Sequence, residues 1–339
     1  MIVFHNFFRW TAPWVGENEF QFAKANIKNF HKSLATTPFE AINVLFTFLG
    51  HYGVQIFILI SAVGLTYSLL QKPVRYGSYV AHRFKNIYSM LIVAVVFYFF
   101  SCIVMDKHLL TGNEWKQWLW KFLLIHTVKP KQSVSLNGPY WFFGLIAQLY
   151  ILFPLLLHIV KKYNFKGFIA ICLFSYICTY LVLFAFPLPE DIDWSANSIA
   201  HLPEFVLGIY IALNPNKRIP SVVFFAALAF LVLGNIFEIF FPLTFLSVTI
   251  LLFAMVMKCR EFFNRKVQIS KIMQQIGTLS MAIFIVHGVF RMCFIRVFSN
   301  SWYKIIIGSL LWFVTIYAVA IIADKFYQWI YSKINMIGK

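Results

Sequence analysis

The sequence predicts an all-α integral membrane protein, a bundle of about ten transmembrane helices with a shortened first helix and both ends in the cytoplasm. Three observations carry this expectation. Hydrophobic residues make up 60% of the 339-residue chain and charged residues 12%, where a soluble domain carries about 25% charge. Apolar runs long enough to cross a bilayer core recur along the whole length. Basic residues concentrate in alternate loops between those runs. The mean hydropathy is +0.74.

Each run is read from its length and its borders. Apolar segments lie at about 43–70, 87–105, 139–160, 167–187, 199–213, 220–236, 241–257, 273–295 and 305–328. Segment 199–213 is short for a span. Residues 1–10, MIVFHNFFRW, form the outer half of one more. EWKQWLWKFLLIH (114–126) has Trp115, Trp118 and Trp120 among charges and reads as an amphipathic interfacial helix. No internal repeat or low-complexity stretch interrupts the pattern, so residues 1–339 form one multi-pass domain. MIVFHNFFRW lacks the basic start and small-residue cleavage site of a signal peptide.

Loop charge then sets the orientation. Segments 71–86, 161–166, 214–218 and 258–271 carry 14 of the 29 Lys and Arg residues. Loop 188–198, LPEDIDWSANS, has three acids and no base. The positive-inside rule puts the four basic loops in the cytoplasm. It puts 11–42, the lysine-containing loop 106–138 and 188–198 outside. The net charge of +17 follows from this asymmetry, so no nucleic-acid partner is expected. The five cysteines form no CxxC pair and four lie in or beside apolar runs, which points to packing.

The chemistry must come from polar residues at membrane depth, where they are costly and functional by default. No phosphate-binding glycine loop, nucleophile elbow or HExxH helix is present. His5, His51, Ser61, Glu204, Glu238 and His287 lie in or near apolar runs, and Arg83 and Lys85 sit just before a helix, at the expected cytoplasmic face, in AHRFKNIY. Glu238 sits near the outer end of its run, where solvation is expected. His201 and Glu204 share a helical face, but two ligands do not make a metal site, and no metal is expected. The outer segment GENEFQFAKANIKNFHKS mixes aromatic and acidic groups suited to sugar binding, and equally suits a plain connecting loop.

Five stretches, in order, resemble the bacterial membrane-bound acyltransferase family 3. GVQIFILISAVG (53–64) is similar to its G-V-x-x-F-F-x-x-S-G block, and AHRFKNIYSMLI (81–92) to R-R-F-x-R-I-Y-P. PYWFFGLIAQLYILFPLL (139–156) matches a W…Y-x-x-x-P helix through Trp141, Tyr150 and Pro154. HLPEFVLGIYIAL (201–213) resembles E-F-x-x-G, and IGTLSMAIFIVHGVF (276–290) an L-G-x-x-S-Y-x-x-Y-L-x-H block ending on His287. His5 matches the histidine of the family's Arg-x10-His signature. The arginine would fall before Met1, so either an upstream start supplies it or the chain works, or fails to work, without it. Ala62, Asn86, Ile146 and Phe284 depart from the family pattern.

The resemblance implies an O-acyltransferase of the bacterial cytoplasmic membrane. It implies acetyl transfer from cytoplasmic acetyl-CoA, a donor substrate rather than a resident cofactor, to a hydroxyl of a cell-surface or lipid-linked polysaccharide. His5 would be the general base and Arg83 and Lys85 would hold the CoA phosphates. Ser61, Trp141, Glu204 and His287 would line or support the path. Partners are then acyl-CoA, the glycan and membrane lipids, with an oligomer left open. The alternative is a non-catalytic relative that exports or flips a polysaccharide or acyl group. A different multi-helix acyltransferase with one buried histidine accounts for the chemistry but not for the five ordered stretches.

Overall fold

A chain this apolar must satisfy its backbone within each segment, because lipid offers no hydrogen bonds. The computed structural model describes residues 1–189, 191–217 and 219–337, and no strand occurs among them. Glu190 and Arg218, both part of the loop-charge pattern, lie outside the described residues. The helices are α1 (Ile2–Phe8), α2 (Lys24–Thr36), α3 (Ala41–Leu49), α4 (Gly53–Gln71), α5 (Tyr76–Ser101), α6 (Gly112–Phe122), α7 (Trp141–Tyr163) and α8 (Phe165–Tyr180). Then follow α9 (Leu202–Leu213), α10 (Ser221–Gly234), α11 (Leu243–Arg265), α12 (Val267–Thr278), α13 (Ser280–Val286), α14 (Arg291–Phe298) and α15 (Trp302–Ile337).

Six helical stretches are long and apolar enough to cross a membrane: Pro38–Gln71, Tyr76–Met105, Gly138–Tyr163, Phe165–Ala185, Leu243–Arg260 and Trp302–Ile334. The bent pair α12 and α13 makes a seventh if counted as one. Segment 273–295, expected as one continuous span, is not one. It breaks by 56° between Thr278 and Ser280, and α14 is a separate short helix. Side chains such as Gln274 and Gln275 keep α12 exposed, whereas Ala282 to Val286 are all buried. The two halves therefore belong to different environments and part company. The stretches 199–213 and 220–236 give only the shorter helical stretches Ser198–Leu213 and Ser221–Gly234, and 1–10 gives the seven-residue α1.

The core lies where α4, α5, α7, α9, α13 and α15 meet. Helix α9 is buried on nearly every side, so its apolar length answers to its neighbours and not to bilayer thickness. It approaches α4 closely at Gly208, where a Cβ would strike the Leu59 carbonyl. Lipid-facing apolar groups cover the rim, as Phe174 and Ile177 on α8 and Val314 and Ile322 on α15 show by their exposure. Helix α6 has the expected amphipathic form. Trp118 is buried and Trp115 exposed, and a capping box between Thr111 and Glu114 fixes its start.

Helix ends gather in two groups. At one end Tyr331 meets His82 at 3.0 Å, the Tyr327 hydroxyl donates to Asn86 at 3.3 Å, and Asn164 meets Asn214 at 3.5 Å. These contacts bring the start of α5 to the last turns of α15 and join the loop near 161–166 to that near 214–217. The other end holds 11–42, 106–138 and 188–201: Lys131 meets Asp191 at 3.5 Å, and Glu17, Val134 and Asp193 line one cavity.

Candidate active site

Helix α1 sits on a turn that has no side chains to keep it away. A Cβ on Gly50 would lie 2.5 Å from the Cβ of His5, and one on Gly53 would lie 2.8 Å from Ile2. The pair of glycines in GHYG therefore lets α1 press onto the start of α4. His5 becomes 2% exposed. Its Nδ1 lies 3.0 Å from the Phe46 carbonyl oxygen, so Nδ1 carries a proton and Nε2 is the nitrogen free to exchange one.

Nε2 faces a carboxylate brought by the loop after α1. Asn43 donates to the Ala12 carbonyl at 2.6 Å. Gly16, at φ 78°, turns the chain back. Asn26 donates to the Glu17 carbonyl at 2.8 Å and to Asn18 Oδ1 at 2.9 Å. Asn18 is thus anchored in the loop while Glu17 and Glu19 turn towards α1.

The result is a chain of charges. His5 Nε2 lies 2.6 Å from Glu17 Oε2, Arg9 Nη2 2.5 Å from Glu17 Oε1, and Arg9 Nη1 3.9 Å from Glu19 Oε2. Neither Nε2 nor Oε2 makes a hydrogen bond, so the lone pair of Nε2 is uncommitted. Such contacts tighten when substrate arrives. Burial pushes the Glu17 carboxyl up, but the charge and contact of His5 with the charge of Arg9 overcome it and hold it at about 2. Burial and the neighbouring Glu17 charge push Glu19 up to about 7. The Glu17 carboxylate is therefore the fixed negative charge that orients the imidazole and stabilises it once protonated.

This chain lines a cavity of 1020 Å³. Its wall includes Trp10, Trp14, Phe20, Trp141, Phe142 and Phe284, together with Asn6, Gln21, His51, Asp193 and Arg291. Trp14 is 66% exposed and Trp141 is buried. Phe20 meets Trp141 edge-to-face at 5.2 Å, and His201 stacks behind it at 6.1 Å. The His51 ring lies 5.9 Å from that of His5.

The expected site residues divide into three groups. His5 and Trp141 share the cavity. Glu204 and His287 stand behind its wall: Glu204 is 3.6 Å from His201, and His287 is buried with Nδ1 2.7 Å from the Phe284 carbonyl. Ser61, Arg83 and Lys85 do not line it. Arg83 lies over the rings of Tyr79 and Tyr150, at 5.5 and 5.9 Å. Tyr150 follows Trp141 by nine residues on α7, which at 1.5 Å per residue puts it roughly 14 Å along the helix. Glu238 is exposed, as expected for a residue at a span's outer end.

Glu17, Arg9, Glu19 and Arg291 were not among the expected residues. The one cue in the sequence was a pair of carboxylates in GENEF, just after a histidine-bearing apolar run. His5, Glu17 and Glu19 offer ligand atoms within 4.8 Å of one another, as do Cys102, His108 and Glu114. In the first set Arg9 already supplies the positive charge that an ion would bring.

A helical membrane protein with a buried histidine and carboxylate, opening onto an aromatic cavity, holds groups able to exchange a proton with a bound molecule. The sequence model of the acyltransferase domain, acyltransferase 3, matches residues 1–323, and the chain belongs to that family. It is a multi-pass membrane protein of acyltransferase type. No curated protein and no solved structure matches it.

Proposed function

We propose that this chain transfers an acetyl group from cytoplasmic acetyl-CoA to a hydroxyl of a cell-surface or lipid-linked polysaccharide, with His5 as the general base. The observation that carries the reading is His5, held between the Phe46 carbonyl and Glu17, in the wall of an aromatic cavity. The acceptor hydroxyl enters the cavity and gives its proton to the unprotonated Nε2 as its oxygen attacks the thioester carbonyl. The imidazolium, balanced by Glu17, then protonates the departing CoA sulfur as the tetrahedral intermediate collapses. The products are an acetyl ester and free CoA, and Nε2 is again unprotonated.

The donor comes from the opposite side. In this reading the ten-helix topology holds, both chain ends and the four basic loops are cytoplasmic, and the membrane is the bacterial inner membrane. Arg83 and Lys85 then hold CoA phosphates at the cytoplasmic face, where planar and point cations suit them. The separation of Tyr150 from Trp141 along α7 leaves the depth of one leaflet for the acyl arm. Trp141 and His287 shape the cavity wall, Glu204 braces Trp141 through His201, and Ser61 lies along the path on α4. The test is His5→Ala in membranes supplied with labelled acetyl-CoA. Transfer to glycan is expected to fall by about 10²–10⁴, the usual share of a general base. Wild-type transfer by a normally inserted variant overturns the reading.

A further inference from the structure

Arg291 has no part in the chemistry above. It opens α14 and lines the same cavity as His5. Its guanidinium carbon lies 4.8 Å from the centroid of the Trp10 ring. Its Nε and Nη1 are buried without a hydrogen-bond acceptor. No carboxylate lies within ion-pair distance of it among the described residues, whereas Arg9 has both Glu17 and Glu19.

An arginine cannot escape this position by losing its proton. Burial and the nearby Arg9 charge push it down only to about 10, so it stays cationic near neutrality. The attraction of the Trp10 face is weaker than the cost of desolvating an unpaired guanidinium. No cavity acid offsets that cost. Glu17 is committed to His5 and Arg9. Glu19 lies nearest Arg9, and no ion pair joins Asp193 to Arg291 among the described residues. Arg291 is thus a cavity cation without an acid partner among those residues, and it lies against a tryptophan ring.

Building on the acyl-transfer reading, we propose that Arg291, seated on Trp10, receives an oxyanion of the acceptor. The acceptor is then an acidic saccharide, with a carboxylate or phosphate on or next to the sugar that is acetylated. The guanidinium fork matches either oxyanion through paired N–H donors. Trp10, Trp14 and Trp141 line the cavity beside it, apolar walls suited to sugar rings. A neutral glycan would fill the same walls and leave the guanidinium unpaired, which sets the direction of the preference.

The test is direct binding to the full chain in nanodiscs of uncharged lipid, with glucose, glucuronate and glucose 6-phosphate as probes. The wild type is expected to bind at least one of the two anionic sugars about tenfold or more tightly than glucose. The tighter of the two identifies the oxyanion as carboxylate or phosphate. Arg291→Gln is expected to bring all three within about threefold of one another. Equal affinities in the wild type, no binding of either anion, or a preference that survives Arg291→Gln overturns the proposal. If Arg291→Gln does not fold, Trp10→Ala replaces it, with the same loss of preference expected and a retained preference overturning the proposal. Acetyl transfer by His5→Ala is measured separately. Anion preference with unimpaired His5→Ala transfer would overturn the catalytic reading alone. Impaired transfer with no anion preference would overturn the acceptor assignment alone.

Discussion

Replacing Glu17 by Gln keeps its shape and removes its charge. The side chain is 10% exposed and meets His5 at 2.6 Å and Arg9 at 2.5 Å, so solvent screens it little. A hydrogen bond to a charged group contributes about 1.5–3 kcal/mol, so the Arg9 contact and, once Nε2 is protonated, the His5 contact amount to roughly 3–6 kcal/mol. Part of this acts equally on the resting enzyme and does not change the rate. The part that matters grows when Nε2 takes the acceptor proton and the imidazolium needs a counter-charge. At about 1.36 kcal/mol per tenfold, half of that total, roughly 1.5–3 kcal/mol, corresponds to a fall in kcat of about 10–10². The KM for acetyl-CoA should not change, because Glu17 lies on the acceptor side of the cavity. The assay is transfer of labelled acetyl from acetyl-CoA, with kcat and KM resolved and the melting temperature as a check on folding. The double variant His5→Ala/Glu17→Gln should be no slower than His5→Ala alone, since two members of one unit do not add. A Glu17→Gln enzyme within about threefold of wild type in kcat, beside an inactive His5→Ala, would refute the orienting role.

Three further outcomes follow from the same geometry. Gly50→Ala puts a Cβ 2.5 Å from that of His5; overpacking of this kind costs about 1–3 kcal/mol, so both melting temperature and transfer rate should drop, and an unchanged pair of values would show that α1 is not seated on this turn. Glu19, raised from 4.5 to about 7, binds its proton more tightly folded than unfolded, so its contribution is full below about 4.5 and is lost as pH rises through about 7. Glu17, lowered to about 2, does the reverse, contributing above about 4.5 and losing that contribution as pH falls. Melting curves against pH should therefore lose their decline between about 4.5 and 7 in Glu19→Gln and soften on the acid side in Glu17→Gln; unaltered curves would contradict both assignments. Arg83→Ala/Lys85→Ala should raise the KM for acetyl-CoA by about tenfold or more with kcat retained, and an unchanged KM would remove these residues from phosphate binding.

The long spans were legible because lipid imposes a length, and runs such as 87–105 and 305–323 reach about that length without charges. The same rule misleads inside the bundle. Helix α9 faces protein on nearly every side, so its sequence resembles a span while its length is set by packing against α4. The bend between α12 and α13 was hidden for a related reason. Hydropathy averaged over 273–295 mixes an exposed, glutamine-bearing helix with a wholly buried one. Gly277 and Ser280 beside the bend are weak local marks of it, since both residues occur within helices as well.

In the site, legibility follows where each group resides. His5 stood out because a titratable ring in an apolar helix is costly and so calls for a reason. Glu17 and Arg9 lie beyond the helix end, where charge is ordinary, and nothing in their composition separates them from a connecting loop. Their role depends on contacts the sequence does not spell out: Asn43 on Ala12, Asn26 on Glu17 and Asn18, and the turn at Gly16. There is a physical reason for splitting the unit this way. A carboxylate on a spanning helix would have to be desolvated on its own before meeting a partner, whereas one on an outer loop arrives already paired with Arg9. The helix then supplies the neutral base and the loop supplies the charge that holds it. Weakening the loop anchors, as in Asn26→Ala, should therefore slow transfer without touching a catalytic atom. Wild-type kcat in that variant would show that Glu17 does not depend on the loop for its place.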